Sequence, residues 1–213
     1  MTRKSSEVRK QEIIQATMEI IAEKGIQNFT MTTLAKRIGI TDGALYKHFK
    51  NKKDILMSMV AEVSRSLSTF MNPQVAMYDD PLEKLQNILR LHLEYLEKHK
   101  GVPRILFSEA IHTTDQDAKR LMYSGISHYL DVIRGILYRA IQEGQVRQDL
   151  DIDVAATVFL GLIQGNVILW SLSDFAFPLA ERYTALWQVF TEGLLKSKNE
   201  GTQPAIVETH YNE

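Results

Sequence analysis

The sequence predicts an all-α protein: a small N-terminal helix-turn-helix unit joined to a larger helical bundle. Three observations predict it. Apolar residues recur at helical spacing along nearly the whole chain, and no segment alternates with the period of a strand. Residues 25 to 56 pack several helix starts and stops into a short span, as a helix-turn-helix requires. Charge is also uneven. Residues 1–56 carry 11 Lys and Arg against 6 Asp and Glu, and residues 57–213 carry 14 against 20. That asymmetry fits a basic module for an anionic partner joined to a domain with another task, although clustering on solvated faces gives the same count.

The elements follow in order. Ile13, Ala16 and Ile20, with Ile14, Met18 and Ile21, form the apolar side of a first helix that starts near Ser5 and Ser6 and stops at Gly25. Thr30 can cap a short helix carrying Leu34, Ala35 and Ile38, which Gly39 ends. Thr41 can cap the next, with Leu45, Tyr46 and Phe49 as its apolar side. Asn51 can cap a longer helix through Ile55, Met59, Val63, Leu67 and Phe70, which Asn72-Pro73 is expected to end. After a connector over 72–80, Asp80-Pro81 opens a helix that closes on Lys98, His99 and Lys100. A short helix follows Pro103, a long one runs from about Asp115 to Gln142, and two more lie near 151–172 and 179–197. The domain boundaries expected are 1–52 for the helix-turn-helix, 53–198 for the bundle and 199–213 for a flexible tail.

Composition bounds the function. At 213 residues, 45 % hydrophobic and 24 % charged, the chain can bury a sizeable core. It has no cysteine, which excludes disulfides, thiolate metal sites and cysteine nucleophiles and fits a reducing cytoplasm. The N-terminus MTRKSSEVRKQE has no apolar run, so no secretory signal is expected. The 20 residues from Val154 to Ser173 carry no charge and are long enough to span a bilayer. Their acidic flanks give no positive-inside anchor, and Gln164 and Asn166 sit near the middle. A helix apolar on most sides can instead be buried between its own core and a partner subunit.

Helix one, IIQATMEIIAEKG, and the stretch FTMTTLAKRIGITDGALYKHFKNKKDIL, residues 29–56, carry a resemblance. Thr30, Leu34-Ala35, Gly39, Leu45-Tyr46, Phe49, Lys52 and Leu56 stand in the order of the N-terminal DNA-binding domain of the TetR family of transcriptional regulators, which this region resembles. Beyond about residue 60 the likeness is one of layout alone. The resemblance implies that the third helix enters the major groove and that Tyr46, His48 and Lys52 contact the DNA backbone. Phosphate contacts also come from threonine hydroxyls and helix N-termini, which brings in Thr30 and Thr41. Gly43 and Ala44 are small enough to let the helix sit deep in the groove. Ala44 suits a thymine methyl, Asp42 a cytosine amino group and Lys47 a guanine, while Thr32 and Thr33 can reach a base or phosphate from helix two. Asp42 can equally be an acid placed at a helix start. So few strong base readers leave DNA shape to share the specificity.

The resemblance further implies a dimer through the last two helices, a double-stranded palindromic operator, and a small-molecule effector bound among the middle helices. The effector-site candidates are His92, Tyr95, Phe107, His112, Met122, Tyr123, His128, Tyr129, Phe159, Gln164 and Trp170, polar and aromatic groups set among apolar ones. A single Glu109-x-x-His112 falls short of the paired motifs of helical di-iron sites, so no metal and no cofactor are expected. No phosphate-binding or nucleophile-elbow motif points to an enzyme. The expectation is a cytoplasmic, dimeric, ligand-released repressor. A helical ligand-binding or enzymatic protein with an incidental basic N-terminus is the alternative.

Overall fold

The computed structural model describes residues 6–106 and 116–195. Helix α1 spans Ser6–Lys24, α2 Met31–Ile38 and α3 Asp42–Tyr46. They are followed by α4 Lys52–Val75, α5 Pro81–Lys98, α6 Gly101–Leu106, α7 Gln116–Gln142, α8 Ile152–Leu172 and α9 Tyr183–Leu195. Short 3-10 turns occupy Ile26–Asn28 and Ala180–Arg182.

The starts are capped as the side chains allow. Thr30 accepts from the Thr33 N–H, Thr41 from Ala44, Asn51 from Asp54, Asp80 from Glu83 and Asp151 from Val154. Each satisfies a backbone donor that helix geometry leaves unpaired, worth about 1 kcal/mol. At Gly39 the backbone turns left-handed, φ 72°, which is what swings α3 across α2.

Two cores result. In the head, Ile13, Ile20, Ile21, Phe29, Leu34, Leu45 and Phe49 pack together, all at most 5 % exposed. In the body, Leu85, Leu89, Ile133, Leu137, Phe159 and Trp170 anchor the second core. Helix α4 belongs to both: Ile55, Met59 and Val60 lie in the head core, Val63 and Met71 in the body core. Helix α6 is a second tie. Ile105 joins the head core, Val102 joins the body core, and Gly101 lies so close to α1 that a Cβ there would run into the Met18 carbonyl.

Several expectations are corrected. Helix α4 does not stop at Asn72-Pro73 but contains Pro73 and runs to Val75. Proline forfeits one backbone bond, yet the final turn survives because Ala76 N–H still reaches the Asn72 carbonyl at 3.0 Å and the Gln74 amide donates to the Phe70 carbonyl at 2.8 Å. The connector is therefore shorter, beginning at Ala76. The last helix starts at Tyr183 after a 3-10 turn, not at 179. The short helix begins at Gly101 and holds Pro103 inside it. Residues 199–213 lie outside the described residues.

Candidate nucleic-acid interface and effector cavity

On the head, α2, the turn Gly39-Ile40-Thr41 and α3 present a polar outer face. Thr32, Thr41, Asp42, Gly43, Tyr46 and Lys47 are exposed, Tyr46 by half, and Ala44 and His48 are partly covered. Nothing lies within 4 Å of a Cβ built on Gly43, so that side of α3 is open. Several predicted residues have local partners. The Thr32 hydroxyl donates to an Asp42 carboxylate oxygen at 3.0 Å, tying α2 to α3 across the turn. The Thr33 hydroxyl is engaged in the cap of α2, accepting from Thr30 N–H at 2.9 Å. The Lys52 ammonium donates to the Ile26 carbonyl at 3.3 Å and stands 5.0 Å from the centre of the Phe29 ring. Its partial burial pushes the Lys52 amine down from the usual lysine range. His48 Nδ1 lies 3.5 Å from the Ser6 hydroxyl of α1.

In the body, α4, α5, α6, α7 and α8 enclose a cavity of about 470 Å³. His92, Tyr95, Met122, His128, Tyr129 and Gln164 of the predicted set line it. Phe159 and Trp170 do not. They are core residues, Phe159 edge-on to Phe190 at 5.2 Å and Trp170 edge-on to Phe175 at 4.6 Å. Tyr123 points outward, 73 % exposed, because it lies two positions round α7 from Gly125, off the lining stripe. Phe107, Glu109 and His112 lie outside the described residues.

The lining holds no Asp, Glu, Lys or Arg among the described residues. Its innermost polar pair is His92 Nδ1 with the Tyr129 hydroxyl, 3.1 Å apart. Burial pushes the His92 imidazole down to about 4 and the Tyr129 phenol upward, so both are neutral at ordinary pH. Sequence reasoning passed over Ser64, Ser68 and Asn72 of α4, which also line the cavity. Their four-residue spacing, a polar stripe beside the apolar one, was the available signal.

A helix-turn-helix head fused through one continuous helix to a bundle that encloses an uncharged cavity defines a class: ligand-responsive DNA-binding regulators. Comparison with known proteins agrees. The family model for bacterial regulatory proteins of the tetR family matches residues 13–59, and that for the C-terminal region of YsiA-like proteins matches residues 61–193. The chain belongs to the TetR family. It is 26 % identical over 183 residues to a fatty acid metabolism regulator protein of Bacillus subtilis, covering 86 % of this chain and 94 % of that one. It is 27 % identical over 191 residues to the nucleoid occlusion factor SlmA of Photobacterium profundum, covering 87 % and 95 %. Among solved structures, the transcriptional regulator FadR of Bacillus subtilis in complex with stearoyl-CoA superposes with a TM-score of 0.77 at 26 % identity, covering 86 % of this chain and 98 % of that one.

Proposed function

We propose that this protein is a dimeric transcriptional repressor, acting in the cytoplasm without a catalytic step, that releases a palindromic operator when an effector with a long apolar chain fills the cavity. The observation that carries this reading is the continuity of α4, which opens in the head core and lines the cavity along Val60, Val63, Leu67 and Met71. An effector that prefers one spacing of the heads changes operator affinity by its difference in binding free energy between the two arrangements. The uncharged lining favours an apolar, neutral occupant over a cation, since an unpaired buried charge costs several kcal/mol. The relatives named for fatty acid metabolism and for a stearoyl-CoA complex support the same chemistry.

In this reading Lys47 reads a base, while Tyr46, His48 and the N-termini of α2 and α3 at Thr30 and Thr41 hold phosphates. Gly43 and Ala44 set the depth of α3 in the groove. Thr32 and Asp42 brace the turn, Thr33 completes the cap of α2, and Lys52 seats the start of α4 against the head. The head takes residues up to about 52 and the body 53–198. The outer faces of α8 and α9 form the dimer interface, where Val154, Val158, Leu169, Leu172 and Val189 are 49–78 % exposed. Helix α8 is long and apolar enough to cross a membrane, yet its other face, with Ala156, Phe159, Ile163 and Trp170, is sealed in the body core. A subunit contact accounts for both faces.

Selection of random duplex DNA with the purified protein tests this function. Enrichment of a palindrome whose half-sites lie about 34–36 Å apart, bound with an affinity that falls steeply with salt, is expected. Absence of any enriched site at low salt, from folded protein, would reject it.

A further inference from the structure

A second cleft, of about 390 Å³, lies on the face of α4 opposite the cavity, where α1, α4 and α5 meet. Helix α4 turns Glu62, Arg65, Ser66, Thr69 and Phe70 into it, whereas Val60, Ser64, Leu67 and Met71 face the cavity. Gln11 of α1 reaches it from the head, and Tyr95, Lys98 and His99 close it from the end of α5. Its volume is that of a small-molecule site. The floor is aromatic. The Phe70 and Tyr95 ring centres stand 5.9 Å apart and those of Tyr95 and His99 4.4 Å apart, with the planes tilted by 43° and 39°. Tyr95 is 5 % exposed and lines the cavity as well, so its ring is the wall between the two sites.

The rim has one positive charge in excess. The Arg65 guanidinium is paired with the Glu62 carboxylate, which also accepts from the Ser66 hydroxyl at 2.7 Å. Lys98 has no acidic partner among the described residues. Burial and the neighbouring Lys98 hold the His99 imidazole below the usual histidine range, so it adds no charge at neutral pH. The end of α5 offers little negative potential. The His99 N–H reaches the Tyr95 and Leu96 carbonyls at 3.0 and 3.1 Å, and the Val102 N–H reaches the His99 carbonyl at 2.9 Å.

We propose that this cleft is a second effector site, separate from the cavity, for a planar aromatic monocarboxylate. Its ring lies on Phe70, Tyr95 and His99, and its carboxylate meets the Lys98 ammonium, with the Gln11 amide and the Thr69 hydroxyl as further donors. A flat ring gains edge and face contacts with this floor that a saturated ring lacks. One negative charge matches the rim. A ligand with two or more leaves a charge unmatched beside Glu62, and a neutral one leaves Lys98 unused. The ligand touches α1, α4 and α5 together, so it favours one arrangement of the head against the body.

The regulatory part of this inference rests on the DNA-binding reading above, and the binding part does not. In isothermal titration of the full-length protein, 2-naphthoate is expected to bind with a Kd below about 1 mM. Decahydro-2-naphthoate, of the same charge and similar shape, should bind at least about threefold more weakly, and so should 2-naphthoate to Phe70→Leu. Lys98→Gln should weaken 2-naphthoate about three- to fivefold, the scale of one solvated ion pair, and Lys98→Glu at least about tenfold. The thermal midpoint of each variant, measured alongside, recognises a misfolded one. Phe70 and Lys98 do not line the cavity, so unchanged affinity in these variants would put the naphthoate in the cavity and overturn the second site. No binding by the unaltered protein overturns it too. Saturating 2-naphthoate should change affinity for the selected duplex at least about fivefold, and the duplex should change 2-naphthoate affinity by the same factor. Binding at the cleft with unchanged DNA affinity overturns the link to the head. Failure to select any duplex rejects the DNA-binding function, and the titrations still decide the site.

Discussion

Asp42 opens α3, the helix proposed to enter the major groove, and its carboxylate already accepts a hydrogen bond from Thr32 at 3.0 Å. That bond crosses the turn, so it holds α3 at its angle to α2. Asp42→Ala and Thr32→Val should each lower stability by about 0.5–1.5 kcal/mol, and the double variant should cost little more than either single one. Additive costs in denaturant melts would mean that the two side chains act separately. His92 makes a pH prediction. Its folded pKa of about 4 lies below the unfolded value of 6.5, so the unfolded chain takes up a proton first. Stability from the neutral, buried imidazole is complete above pH 6.5 and declines as pH falls from 6.5 towards 4, by an amount on the order of 3 kcal/mol. Below pH 4 the term is constant. His92→Gln should flatten the curve in that window, and equal slopes for both proteins would show that another group titrates.

Helix α6 is short, but it touches three things at once. Val102 lines the cavity, and Gly101 and Ile105 press on the head. Arg104 donates to the Ala22 carbonyl at 2.7 Å, in the last turn of α1, where a cation suits the helix C-terminus. The same guanidinium lies 5.0 Å from the centre of the Phe175 ring, beyond the end of α8, and 3.7 Å from the Asp174 carboxylate. Asp174 and Phe175 both hold left-handed backbone, φ 52° and 63°, a conformation that side chains disfavour and that tertiary contacts must maintain. Arg104 thus braces the head against the corner that follows α8. Arg104→Ala should lower stability by about 1–3 kcal/mol. It should also bring the effector affinities measured with and without operator closer together, since the ratio of the two is the coupling between sites. An unchanged ratio would leave α4 as the sole mechanical link.

At the scale of the molecule, the outer faces of α8 and α9 expose an apolar surface that a monomer rarely leaves open. Leu169, 58 % exposed, lies within it. Leu169→Asp should convert the dimer to monomer in sedimentation without a large change in helix content. Operator affinity should fall at least about a hundredfold, because two heads no longer bind as one unit. A variant that stays dimeric would move the interface elsewhere.

By itself the sequence determined the all-helical class, the order of the helices and the caps of those in and just after the head, though not where α4 ends or α6 and α9 begin. Those signals are local: Thr30, Thr41, Asn51 and Asp80 cap through bonds to residues three positions on, and Gly39 turns because of its own backbone. It also picked out His92, Tyr95, Met122, His128, Tyr129 and Gln164, since polar, aromatic and thioether groups on an apolar stripe are visible in one dimension. Only the tertiary structure decided that these meet around one cavity, while Phe159 and Trp170 fill the core and Tyr123 faces outward. The same holds for Lys52, whose partner is the Ile26 carbonyl, for Asp42 with Thr32, and for Arg104 with Ala22, pairs 26, 10 and 82 residues apart. A side chain's neighbours across the fold depend on how helices cross, and the pattern along a single helix records only which side faces inward.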